Sequence, residues 1–184
     1  MRKTQENNKS AIDLRELKNG MPGITPAYGE SMAEAASICL EDQNHLSGVL
    51  LKVEGDYAKN FIVIWNKVNE QMRRTWADEE FTTEQGAYGI AVLILYKLKN
   101  YTVLERSKKE NGFDYWLGLE NDTAPLFQAK SRLEVSGIRR GNVSQIRTRL
   151  NEKKIQTNPS DGLFIPAIIV IVEFSTPRTR VEEK

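Results

Sequence analysis

A chain of 184 residues, 40% of them hydrophobic and 28% charged, has the length of one domain and enough apolar side chains for a core of its own. A single cysteine, Cys39, excludes an intramolecular disulfide and argues against a cysteine-built zinc site, and a single histidine, His45, excludes a multi-histidine metal centre. The formal net charge of +1 predicts no global attraction to nucleic acid, so any such binding must come from a local patch.

No apolar run approaches the roughly 20 residues of a membrane span. The opening M-R-K-T-Q-E-N-N-K-S has basic residues and no apolar h-region, so it does not read as a secretory signal. A cytoplasmic protein with no membrane partner is the expectation.

Residues 1–30 are polar and broken by Gly20, Pro22, Gly23, Pro26 and Gly29. They read as a flexible arm with one amphipathic turn at Ile12, Leu14 and Leu17. Ser31, with Glu34 three residues later, reads as a capping box that opens a helix with Met32, Ala35, Ala36, Cys39 and Leu40 as its apolar stripe. His45–Glu54 and Asn60–Val68 are rich in β-branched and aromatic residues and joined by the short E-G-D-Y link, which predicts an antiparallel hairpin. Gln71–Trp76 reads as helical and carries Arg73 and Arg74. Residues 31–81 thus form a helix-plus-hairpin extension packed on a core that begins at residue 82.

Thr82 or Thr83 is the expected cap of a long helix ending near Asn100. Ala87, Ile90, Ala91, Ile94, Leu95 and Leu98 recur at helical spacing, and Val92 and Leu93 widen the apolar surface, so this helix should be largely buried. Gly86 and Gly89 within it do not follow a strand in G-x-G-x-x-G order, which argues against a dinucleotide loop. Strands are expected at 101–107, 113–119 and 125–137. Asn142 with Gln145 caps a second helix that turns Val143, Ile146 and Leu150 inward. I-P-A-I-I-V-I-V-E-F then reads as a strand buried on both faces, and residues 176–184 as a charged, frayed tail. The fold class is α/β, a mixed central sheet flanked by helices, with its core at 82–175.

Asp114 stands between Phe113 and Tyr115, where an idle carboxylate would be costly to desolvate. Gln128, Lys130, Arg132, Glu134 and Ser136 occupy every second position of the next strand and so share one face. Oxygen ligands beside a cation suit a hard metal ion and phosphodiester cleavage. Asp114 is the first candidate ligand, Gln128 a weaker one through its carbonyl oxygen, and Lys130 the candidate charge-stabiliser. Glu84, at the start of the long helix, is a further candidate acid. The plain alternative is a solvated edge-strand face in which Lys and Glu pair across neighbours.

Arg139, Arg140, Arg147, Arg149, Lys153 and Lys154 flank or lie on the second helix; all but Lys153 are, with Arg132, the candidate nucleic-acid contacts, and an ordinary solvated helix face is the alternative. His45 reads as a hydrogen-bonded strand-end histidine, with a general-base role as the alternative, and Cys39 as core packing.

The order of acids and elements resembles the PD-(D/E)xK, restriction-endonuclease-like nuclease superfamily. Glu84 matches the helix acid, Asp114 the strand acid and Q-A-K at 128–130 the (D/E)-x-K segment, in a Q-x-K form similar to the Mrr-type branch. The resemblance spans roughly residues 82–174. It implies a restriction-endonuclease-like core, Mg²⁺ or Mn²⁺ as cofactor, DNA as partner and a nuclease activity resting on Glu84, Asp114, Gln128, Lys130 and Glu134. Two departures stand out: Phe113, not proline, precedes Asp114, and Gln128 replaces a carboxylate. Glu134 could restore the missing charge, with Lys130 or Arg132 as the cation, so two registers remain open. The metal ligands are Asp114 with Gln128 in one and Asp114 with Glu134 in the other. An inactive module of the same fold that binds nucleic acid or protein is the alternative function, and a homo-oligomer built on the N-terminal hairpin is a third.

Overall fold

The computed structural model describes residues 10–119 and 129–184. Its elements, in chain order, are β1 (Ala11–Asp13), α1 (Pro26–Glu41), β2 (Val49–Gly55), β3 (Lys59–Ile64), α2 (Glu70–Thr75), α3 (Glu79–Lys99) and β4 (Tyr101–Arg106). After these come β5 (Tyr115–Leu119), β6 (Ser131–Ile138), α4 (Val143–Gln156), β7 (Ala167–Glu173) and β8 (Arg178–Glu183). The strands form one mixed eight-stranded sheet in the order β1-β3-β2-β8-β7-β6-β5-β4. The β4, β5 and β6 strands are successively antiparallel, β6 and β7 are parallel across α4, and β8 pairs antiparallel to β7 and parallel to β2. The expected α/β class, with helices on both faces, is the one observed.

The two faces are covered unequally. Helices α1 and α3 share a core with Leu51, Val53, Phe61, Val63, Val103, Leu117, Leu133, Val135, Val170 and Val181 on one face. On the other, α4 sets Ile146 and Leu150 against Ala167, Ile169 and Ile171. Every residue of β7 is buried, its even positions on the α3 side and its odd ones, up to Ile171, under α4. Burying each Ile or Val there contributes about 1.5–3 kcal/mol. The continuous apolar run therefore means what it suggested, a strand covered on both sides.

The edges of the chain differ from the reading as arm and tail. Within residues 1–30, Ile12, Leu14, Leu17 and Ile24 are buried, β1 pairs in parallel with β3, and a 3₁₀ turn runs from Leu14 to Asn19. Four apolar residues among polar neighbours carry no clear period, yet they are enough to close the α1–α3 side of the core. The tail is β8, between β2 and β7 in the interior of the sheet. Only Thr179 and Val181 face the core, while Arg178, Arg180 and Glu182 face the side that α4 leaves open. Two inward residues are too few for an alternation to be visible.

Two helices begin earlier than expected. Thr25 caps α1 through the Tyr28 amide, with Pro26 in the first turn, whereas Ser31 lies inside the helix and donates to the Ala27 carbonyl. Asp78 caps α3 through the Phe81 amide, and Thr82 and Thr83 sit buried within it. Asn100 closes α3 in the left-handed region. The capping box of Asn142 and Gln145 is present at α4, but Val143 is 61% exposed instead of facing inward. No helix among the described residues is long and apolar enough to cross a membrane.

Candidate functional site

Asp114 lies just before β5, where the chain turns in from the 3₁₀ turn at Lys109–Asn111. Its amide donates to the Leu133 carbonyl at 2.8 Å, which locks it beside the middle of β6. Its Oδ2 accepts the Val135 amide at 2.8 Å, and its Oδ1 accepts the Tyr88 hydroxyl at 2.9 Å. The backbone around this acid is tight on two sides. A Cβ at Gly137 would collide with the Thr83 carbonyl, so the absence of a side chain lets the start of α3 close on β6. Gly112 adopts φ 74° and leaves no room for a side chain against the Gln156 carbonyl, which brings the turn before Asp114 onto the end of α4.

Glu134, on β6, is 1% exposed. Its Oε1 accepts Lys153 Nζ at 2.7 Å and Gln156 Nε2 at 2.9 Å, both from the last turn of α4. Its Oε2 is buried without a hydrogen-bond partner among the described residues. Bonded to the Leu133 carbonyl and the Val135 amide on either side of Glu134, Asp114 stands next to that acid, and two neighbouring acceptors of this kind would be satisfied by a shared proton or a cation. Burial, and then the Asp114 charge, push Glu134 up to about 8 against the pull of Lys153. Burial also raises Asp114, opposed by the Val135 amide and the Tyr88 hydroxyl. Two like charges held together out of water give this pattern.

A third acid joins through a hydroxyl. Glu84, exposed on α3, accepts the Tyr88 hydroxyl at 2.9 Å, the same hydroxyl that meets Asp114. One hydroxyl carries one proton, so it cannot donate to both acids at once. Burial, then the charges of Asp114 and Glu84, raise the Tyr88 hydroxyl. The Arg106 guanidinium lies 5.8 Å from the Tyr88 ring centre and 5.6 Å from that of Tyr115, and donates to the Tyr28 hydroxyl.

Of the expected site residues, the structure brings together Asp114 and Glu134, with Glu84 linked through Tyr88. Gln128 lies outside the described residues. Lys130 is exposed, its amide bonds the Leu117 carbonyl, and four residues of extended chain, about 13 Å, separate it from Glu134. The cation at Glu134 is therefore Lys153. Arg132 does not reach the acids either. It is 2% exposed and donates to Ile165 O at 2.8 Å, Thr157 O at 3.2 Å, Ser160 Oγ at 2.5 Å and Asp161 Oδ1 at 3.2 Å, pinning the segment between α4 and β7.

The candidate nucleic-acid contacts do not form one patch. Arg139 is 7% exposed, and its nearest acid is Asp42 at 3.9 Å, so burial removes it from any solvent-facing surface. Arg140 pairs with Glu79, Arg149 with Glu152 and with Ser136 Oγ, and Lys154 with Glu182. Arg147 is exposed and makes no ion pair among the described residues. The His45 Nε2 sits 3.1 Å from both the Phe174 and Ser175 carbonyls, a donor's position that suits the hydrogen-bonded reading. Cys39 is buried, and burial pushes its thiol up to about 12.

Tyr88, Lys153 and Gln156 are the site residues that the sequence reading missed. Tyr88 follows Glu84 by one helical turn, a spacing that puts both on one face, but it sits inside an apolar run and reads as core. Lys153 is one of several basic residues on α4, and only the fold selects it. Among the described residues no group of three or more His, Cys, Asp and Glu side chains forms a ready metal cluster. Asp114 and Glu134 are the residues that would hold a hard cation, through carboxylate oxygens of which one lacks a donor among the described residues. No family model, curated protein or solved structure matches this chain, so its functional reading rests on the geometry of these acids.

Proposed function

We propose that this chain is a Mg²⁺- or Mn²⁺-dependent phosphodiesterase acting on DNA, with Asp114 and Glu134 as the residues that hold the cation. The observation that carries this reading is the donor-poor setting of the two neighbouring acids, with Glu134 Oε2 buried and unpartnered among the described residues. When bound, the cation would supply a lowered pKa for water and charge neutralisation at the phosphate. Lys153 holds Glu134 in place and brings a positive charge to the site. Tyr88 fixes Asp114 and ties Glu84 to it. The order of α3, three antiparallel strands, α4 and a strand parallel to the third supports a restriction-endonuclease-like core. In the Glu134 register the lysine position of (D/E)-x-K holds Ser136, and Lys153 provides an ammonium from the helix instead.

The test is cleavage of supercoiled plasmid and single-stranded DNA with Mg²⁺ or Mn²⁺. Cleavage should disappear in Asp114→Ala and Glu134→Gln, and equal activity in wild type and Asp114→Ala would sink the catalytic assignment. One observation favours a second reading, an inactive module of the same fold: Glu134 already has an internal partner in Lys153. A wild-type protein that neither cleaves DNA nor binds Mn²⁺ would support that reading.

A further inference from the structure

Among the described residues, the sheet is wider than the one helix on its second face. Helix α4 packs over β6 and β7, and no other described helix lies over the next strands, β8 and β2, on that side. Where the flank of α4 meets the open sheet there is a cleft of about 410 Å³, within the range of about 300–1,000 Å³ usual for small-molecule sites. Its floor is Arg178 and Arg180 of β8 with Glu54 of β2, and its wall is Val143, Arg147 and Leu150 of α4. Register explains why the arginines converge. Arg178 and Arg180 are two apart on one strand and point to one face, and Arg180 lies opposite Glu54 on β2.

The charges in this cleft are not balanced. Glu54 is bridged by Lys52 at 2.5 Å, and Glu182, at the far end, by Lys154 at 2.5 Å as well as by Arg180 at 2.6 Å. Each acid therefore already has a lysine of its own. Arg147 remains without an ion pair among the described residues, and the Nε of Arg178 is buried with no hydrogen-bond partner. Arg178 likewise makes no ion pair among the described residues, so an anion seated between it and Arg147 would meet two guanidinium groups that lack a close carboxylate of their own. The open apolar surface beside these donors is Val143, 61% exposed, since Ile146 and Leu150 behind it are already packed on β7. An inorganic anion would leave that surface bare. A ligand with an anionic end and a flat, less polar end would use both.

We propose that the cleft between α4 and β8 binds a nucleoside phosphate, its phosphate on Arg147 and Arg178 and its base against Val143. The ligand is either a free nucleotide or one nucleotide of a single strand, since both present the same chemistry. This site is separate from the acids. Lys153 and Gln156 hold Glu134 from one flank of α4, whereas Arg147 and Lys154 look out from the other. It therefore does not depend on the phosphodiesterase reading.

The test is calorimetric titration of the full chain with AMP, adenosine and an eight-residue oligothymidylate, without divalent cation so that the acids take no part. AMP or the oligonucleotide should bind with a Kd below about 1 mM, and adenosine roughly tenfold more weakly than AMP because it lacks the phosphate. Arg147→Gln should weaken binding roughly tenfold, and Arg147→Gln/Arg178→Gln further. Arg147 is exposed, so its replacement leaves the fold intact, and circular dichroism checks the double variant. Tighter binding of AMP identifies a free nucleotide, and tighter binding of the oligonucleotide identifies a strand. Absence of binding by both probes, equal affinity for AMP and adenosine, or wild-type affinity in both variants would each overturn the proposal.

Discussion

Two glutamates, on adjacent strands and equally hidden from solvent, have opposite chemistry. Glu173 at the end of β7 is 0% exposed and Glu134 on β6 is 1% exposed. Glu173 pairs in register with Ile138, four residues beyond Glu134, or about 13 Å along the strand. The Glu173 carboxylate accepts from the Gly141, Ser175 and Thr176 amides and from the Ser175 and Thr176 hydroxyls. Burial pushes Glu173 up, but those hydroxyls and amides outweigh it and hold the group below its ordinary value. Among the described residues, Glu134 has two donors on one oxygen, none on the other, and a second acid beside it. Burial alone therefore does not mark a functional acid. What sets Glu134 apart is the shortage of donors around it, which an added proton or cation can fill.

The largest expected effect separates the two acids by function. Glu134→Gln should reduce DNA cleavage by at least about 10²-fold, the scale of losing one electrostatic contact to the reacting group. Glu173→Gln should leave the cleavage rate per folded molecule unchanged. In stability the order reverses. Glu173→Gln turns an amide nitrogen toward N–H and O–H donors and should cost about 3 kcal/mol, read by urea denaturation. Glu134→Gln removes one of two neighbouring acids and should cost less at pH 8 than at pH 5. If Glu134→Gln proved the more destabilising of the two at pH 8, the contrast would fail.

The pH dependence sharpens the same contrast. The Glu134 pKa is raised on folding, from an ordinary 4.5 to about 8. Its contribution to stability is fully present below pH 4.5 and is lost as the pH rises through 8. The Glu173 pKa is lowered, so its contribution is present above 4.5 and is lost as the pH falls below that value. Thermal melts should therefore show stability declining between pH 5 and 9, and Glu134→Gln should flatten that decline while leaving the acid limb in place. A decline that is the same in wild type and Glu134→Gln would assign it to another group.

Smaller again is the effect expected of Tyr88→Phe. It removes the hydroxyl shared by Asp114 and Glu84, a hydrogen bond to charged groups worth roughly 1.5–3 kcal/mol, and should lower cleavage by about tenfold or more. Smallest is Arg140→Ala, which breaks an ion pair about 60% exposed on both sides and should shift stability by under about 1 kcal/mol.

How far the sequence anticipates this contrast depends on the information each residue needs in order to be recognised. The buried β7, the long α3, the hairpin of β2 and β3 and the Asn142 capping box are local patterns, and they are observed. Asp114 stands out because its neighbours are apolar, and Glu134 because its strand alternates. Strand β8 escapes notice because its second face is open and charged, and the segment at 11–24 because its few core residues follow no period. Lys153 and Tyr88 escape for a different reason. Their importance lies in which acid they touch, and that depends on how α4 and α3 settle on the sheet. Lys130 is the converse case, a lysine at the right spacing in the chain that the register sets about 13 Å from Glu134.

The most direct test of the Asp114–Glu134 pair as a cation site is calorimetric titration with Mn²⁺ at pH 8, comparing wild type with Glu134→Gln. Wild type should show saturable binding, and Glu134→Gln should show at least a tenfold weaker site. No binding heat in wild type, or equal affinity in the two proteins, would contradict the assignment of these acids to a metal.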